Sequence, residues 1–327
     1  MKAKSSSSKG NSFVQFLIKY RTVLILVALI IVFTALNPVF INGKNVLNML
    51  KRMSYVALTA YGVTFILTMG ELDMSGGSMS ALVTVVLATL INKQVPLGIA
   101  VLLVVIMATL GGTLNAIINL YGKINAFLVT LATMNIFRGI AMIICNGRTI
   151  PIKNNTYAFL FGNGTLFGII PMPVIIMAVF FVIAYLLFHK TKLGFYTKCM
   201  GGNLEAAKVA GININKFKII IFSFAGFCSG IAGLILAGLM NGGMSDLGET
   251  LSMDGITAAV LGGTAVSGGI GSMIGTLGGV LIMGCLNGGM SLLGFQSHHQ
   301  MLVKGIVIIF AVWLDNVLKQ REVVVKD

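Results

Sequence analysis

The chain has 327 residues, of which 57% are hydrophobic and 10% charged, and it carries a formal net charge of +14. A soluble domain holds roughly a quarter of its residues as charges, and a mean hydropathy of +0.96 does not fit a soluble surface built to meet nucleic acid. Soluble enzymes, disordered chains and disulfide-rich secreted domains are excluded, which leaves an all-α polytopic membrane protein of about ten transmembrane helices.

Residues 1–19 read as a cytoplasmic tail, followed by a first apolar run at 20–36. Lysines ahead of that run imitate a signal peptide. Asn37-Pro38 and many further runs follow, so it is taken as an uncleaved first span. The stretch Asn45–Met53, with Lys51 and Arg52, fits an amphipathic helix lying along the outer surface. Further runs of spanning length fall near 54–70, 74–92, 96–120, 125–145, 167–188, 218–240, 253–267, 272–293 and 299–318. This gives a transmembrane domain over 20–318, with an inner loop at 189–217, and a cytoplasmic C-terminal tail over 319–327.

Orientation follows from where Lys and Arg collect. With the N-terminus inside, fifteen of the 23 cations fall on the inner segments and six on the outer ones. Arg138 and Lys304 lie within spans. Both termini are therefore expected in the cytoplasm.

Glu71 and Asp73 stand inside an apolar region, where carboxylates are costly and face a watery cavity or a partner. Gly70, Gly76 and Gly77 allow the helix to break near 70–78, and broken helices are one way to build transport sites. Two readings of Asp73 stand side by side: it caps the helix that starts just after it, or it contacts a passing hydroxyl-rich cargo. Arg138 and Lys304 are candidate partners for the two acids, or they snorkel to an interface.

In the inner loop, Asn203 suits an N-cap, Glu205 a first-turn acid and Gly211 a C-terminal stop. They frame a helix of about two turns, too short to stand alone. Ala206, Ala207 and Ala210 give it a slim profile suited to a groove in another protein.

Of 40 glycines, 20 lie between Gly226 and Gly294, many at four-residue spacing (Gly226/Gly230, Gly275/Gly279, Gly284/Gly288). They fit close helix packing within the chain, or a subunit contact or gate. The four cysteines are scattered, and His298-His299 has no acidic neighbours, so no disulfide framework, metal site or catalytic constellation is expected. No Gly-x-x-x-x-Gly-Lys-[Ser/Thr] loop occurs, so ATP phosphates are not held here by that means.

Glu205-Ala206-Ala207-x-x-x-Gly211 resembles the coupling helix of ATP-binding-cassette (ABC) importer permeases, and Gly201-Gly202-Asn203 ahead of it resembles the sugar-type branch. Gly70-Glu71-Leu72-Asp73-Met74-Ser75-Gly76-Gly77-Ser78, the run Asn125–Met134 with Arg138-Gly139, the block Asp254–Gly269, and Lys304-Gly305 with Asp315 are similar to further motifs of that branch. The resemblance runs from about residue 45 to 318. Glu71, Ala126, Gly255 and Thr257 depart from the commoner residues.

The resemblance implies the permease subunit of a bacterial inner-membrane importer for a monosaccharide of the ribose, galactose or xylose kind. It implies no cofactor of its own and no nucleic-acid partner. Two copies would form the path, separate ABC ATPase subunits would grip Gly202, Asn203, Glu205, Ala206, Ala207 and Gly211, and a periplasmic or lipid-anchored binding protein would deliver cargo. ATP-driven closure would swing the permease between outward- and inward-open states, with few and weak cargo contacts. Glu71, Asp73, Ser75, Ser78, Asn125, Thr130, Asn135 and Arg138 would belong to the path or the broken helix. The alternatives are a nucleoside or signalling-sugar cargo, or a self-sufficient ion-coupled transporter using Glu71 and Asp73.

Overall fold

The computed structural model describes residues 8–296, 298–307 and 309, with side chains from residue 22 onward. It is built of helices: α1 (Ser8–Leu36), α2 (Gly43–Thr68), α3 (Gly76–Asn92), α4 (Leu97–Gly122), α5 (Ala126–Cys145), the short α6 (Asn155–Tyr157), α7 (Met172–Lys190), α8 (Lys192–Gly202), α9 (Leu204–Val209), α10 (Ile214–Met240), α11 (Leu251–Leu261) and α12 (Met273–Leu292). The chain is helical again from 298 to 307. Two short antiparallel pairs complete it, β1 (Ile150–Pro151) with β4 (Gly242–Gly243), and β2 (Thr165–Leu166) with β3 (Ile170–Pro171).

Helices α2 and α10 form the centre. Every residue of α2 from Val56 to Thr68 is buried, as is nearly all of α10 from Ala225 to Gly238. Around them α4, α5 and α7 keep a wide apolar face outward, with Leu102, Leu110, Ile136, Ile143 and Val182 exposed. In water such a surface would be untenable, whereas lipid makes it the ordinary outer face of a bundle. Helices α4, α5, α7, α10 and α12 are each long and apolar enough to cross a membrane, while α3 and α11 are apolar but shorter.

The glycine pairs pack helices of this one chain against each other. A Cβ on Gly112 would lie 2.1 Å from the Phe222 carbonyl oxygen, and one on Gly226 would lie 2.4 Å from that of Ala108, so α4 and α10 touch backbone to backbone. In the same way Gly279 of α12 faces the Ala258 carbonyl of α11 at 1.9 Å. Gly284 and Gly288 receive the side chains of Met53 and Met49.

Two expectations change in detail. Asn45–Met53 is not a separate surface helix but the first turns of α2, which runs unbroken from an Asn42 cap. Seating Met49 and Met53 on α12 gives those turns a buried face. The run at 253–267 yields only eleven helical residues in α11, about 16 Å of rise. It stops because Gly262 lies against the Gly275 backbone and Gly263 turns with φ +90°. The expected tail over 1–19 overlaps α1, which begins at Ser8, and the last half of the final run and the tail over 319–327 lie outside the described residues.

Candidate functional site

Helix α2 ends at Thr68 in a Schellman turn: Gly70, at φ +87°, donates its N–H to Leu67, and Glu71 donates its own to Ile66. Five residues, Glu71 to Ser75, then run without helical structure before α3 begins. Irregular backbone inside a membrane bundle needs internal partners for its polar groups, and four helices supply them. The Thr130 hydroxyl of α5 accepts from the Met74 N–H at 3.2 Å. The Ser252 hydroxyl of α11 donates to the Met74 carbonyl at 2.9 Å and accepts from the Gly77 N–H at 2.8 Å. Asn115 of α4 donates to the Ser75 hydroxyl at 2.9 Å. Lys218 of α10 forms an ion pair with Glu71.

Asp73 is buried, and its Oδ1 accepts from both the N–H (2.7 Å) and the hydroxyl (2.6 Å) of Ser75. The carboxylate thus shapes the turn that leads into α3. Of its two readings, capping describes the local contact, although the helix starts at Gly76, two residues later than an Asp73 cap requires, and Ser75 occupies the cap position.

Neither intraspan cation pairs with Glu71 or Asp73. Arg138 Nε donates to the Ser78 hydroxyl at 3.2 Å, and its guanidinium also donates to the Ser245 carbonyl. Lys304 pairs with Asp254. Asn125 caps α5 by accepting from the Phe127 N–H at 2.8 Å. Asn135 is exposed and donates to the Leu131 carbonyl of its own helix, apart from the others.

Beside the break, Glu71, Asn119, Asn125 and Val266 border a cavity of about 510 Å³. Glu71 Oε2 and Asn119 Oδ1 are buried acceptors with no hydrogen-bond donor among the described residues.

The inner loop folds as two helices. Helix α9 follows its sequence signals: the Asn203 side chain accepts from the Ala206 N–H at 2.9 Å. Gly211, at φ +80°, closes a second Schellman turn with Gly211 N–H to Lys208 and Ile212 N–H to Ala207. Its tip projects outward, with Val209 90% exposed and the Glu205 side chain 78% exposed. Helix α8 was not anticipated, because its three glycines argue against a helix. The available signal was Thr191, whose hydroxyl caps it by accepting from the Leu193 N–H at 3.2 Å. Lys218, Asn115, Asn119 and Ser252 were also missed as site residues. Asn115 and Asn119 were detectable as polar residues four apart on an apolar helix.

The loop and the break touch. A Cβ on Gly201 would sit 1.9 Å from the Thr68 carbonyl oxygen and 2.6 Å from the Gly269 nitrogen. Gly269 donates its N–H to that same Thr68 carbonyl at 2.8 Å. No cluster of three or more His, Cys, Asp or Glu suited to a metal occurs among the described residues.

The family described as branched-chain amino acid transport system / permease component matches residues 45–312. The chain is 37% identical over 311 residues to the ribose import permease protein of Haemophilus influenzae, covering 94% of this chain and 96% of that one. It is 41% identical over 289 residues to the ribose import permease protein of Bacillus subtilis (88% and 89% covered). To the L-arabinose transport system permease protein of Escherichia coli it is 34% identical over 315 residues (96% and 94% covered). No solved structure matches the chain.

Proposed function

The chain belongs to this permease family, as a sugar-type ABC importer permease and a multi-pass membrane protein, and we propose that it is the subunit that carries a monosaccharide across the bacterial inner membrane. The observation that carries the reading is α9, a short helix capped at both ends that packs on the bundle through Ala207 and turns Glu205, Lys208 and Val209 outward. A helix of six residues does not persist on propensity alone, so its capping and its exposed Val209 and Glu205 suit a groove on an ATPase subunit.

In this reading about ten spans cross the membrane with both termini cytoplasmic, the permease domain covers 20–318, and two copies meet to form the path. The break at Glu71–Ser75 lies on the α9 side of the bundle, at the inner end of the path. A binding protein delivers cargo at the opposite face, and ATP-driven movement of α9 alternates access. The ribose and arabinose permeases similar to this chain make a pentose the first cargo to try.

The test is reconstitution in proteoliposomes with the ATPase and binding-protein subunits, following labelled ribose, arabinose and xylose. Uptake that needs all three components and ATP supports the reading. Uptake by the chain alone, driven by a proton or sodium gradient, would overturn it in favour of an ion-coupled transporter.

A further inference from the structure

Two contacts reach the α2–α3 break from the segment that carries α9, and a third comes from the α11–α12 turn. Upstream of α9, the Gly201 backbone lies against the Thr68 carbonyl with no side chain between them. Downstream, Lys218 reaches Glu71 across 147 positions of sequence. Between them, Gly268 packs on the Gly70 backbone and Gly269 donates to Thr68, which brings in the α11–α12 turn. A displacement of α9 therefore reaches the break through both of its flanking arms.

We infer that Glu71 and Lys218 are positioning residues of the transport cycle: their ion pair ties the broken helix to the α9 segment, so that motion imposed on α9 re-sets the break. The role rests on the importer reading above. Two features favour a tie over a surface decoration. Both side chains are mostly buried, Lys218 at 12% and Glu71 at 22% exposure, where losing one partner leaves an uncompensated charge. The Gly201 contact, having no side chain, transmits compression but offers nothing to pull with. Lys218–Glu71 supplies the attraction that compression lacks, so the two contacts make the linkage two-way.

The experiment uses the complete transporter in proteoliposomes and reads ribose moved per ATP hydrolysed. The variants are Glu71→Gln, Lys218→Met and the exchanged pair Glu71→Lys with Lys218→Glu. Coupling free energies between sites correspond to roughly 5- to 150-fold effects, so each single variant should lose about fivefold or more in that ratio. The exchanged pair should regain most of it. A merely structural role lowers the yield of assembled transporter and leaves the ratio unchanged, which would refute the inference. So would an exchanged pair no better than the singles, or a Glu71→Gln variant altered only in its KM for ribose. Should Lys218→Met fail to insert, Glu71→Gln and the exchanged pair still decide the matter. A wild-type transporter with no ATP-driven uptake removes the importer reading itself, and the pair's role with it.

Discussion

Lys304 Nζ lies 2.8 Å from one carboxylate oxygen of Asp254 and 3.1 Å from the other, and the Thr250 hydroxyl donates to the second oxygen at 3.1 Å. The pair joins α11 to the helical stretch after residue 298, and both side chains are largely buried. Two motifs fifty residues apart in sequence thereby become one contact.

Removing only the cation should be costly. Lys304→Met leaves the Asp254 carboxylate buried without a counter-charge, a loss of about 3–5 kcal/mol. Lys304→Met combined with Asp254→Asn should recover most of that, since no unpaired charge remains. Thermal unfolding in detergent measures both. Equal losses in the single and double variants would show that the pair does not act as a unit.

Gly201 and Gly202 are neighbours with opposite tolerance. A Cβ at 201 collides with backbone on two elements, whereas nothing lies within 4 Å of one at 202. Backbone cannot rotate away as a side chain can, so Gly201→Ala should cost about 1–3 kcal/mol, and Gly202→Ala should stay within about 0.5 kcal/mol. The comparison needs only melting curves of the two variants beside the parent.

Arg138 holds Ser78 of α3 and the Ser245 carbonyl with one guanidinium. Lysine keeps the charge but not the planar fork. Arg138→Lys should free one of the two partners and cost about 1.5–3 kcal/mol, with the 242–250 segment more open to proteolysis. Unchanged cleavage kinetics would count against the bridge.

How much was legible in the sequence divides along a physical line. Local signals carried: Asn203 and Gly211 fixed both ends of α9, and Gly70 marked the end of α2, because caps and left-handed turns are set by residues within a few positions, whereas Gly76 and Gly77 lie inside α3 and pack against other segments. Partners were not legible. Glu71 finds Lys218 and Asp254 finds Lys304 through helix packing over long separations, and no local pattern records which charged residues will meet. Helix α8 and the short α11 were misjudged for a related reason. Gly194, Gly201 and Gly262 look like breakers or packing residues alike, and only the close approach of another backbone decides which.

Glu205 separates stability from docking. It pairs with Lys208 at 2.7 Å, three residues on, but the two side chains are 78% and 50% exposed. An exposed pair of this kind contributes between nothing and about 1 kcal/mol, so Glu205→Lys should leave the melting temperature of the isolated permease nearly unchanged. The charge reversal falls on the tip proposed to enter the ATPase groove, and it also places a cation near the positive end of α9. Cargo-stimulated ATP hydrolysis should therefore collapse while membrane insertion and folding persist. Gly211→Ala makes the complementary change: nothing crowds its Cβ, but φ +80° strains any L-residue by about 1–2 kcal/mol, loosening α9 without altering its charge. If α9 is the docking element, Glu205→Lys should impair hydrolysis far more than Gly211→Ala. Normal cargo-stimulated hydrolysis with Glu205→Lys would place the ATPase contact elsewhere on the chain.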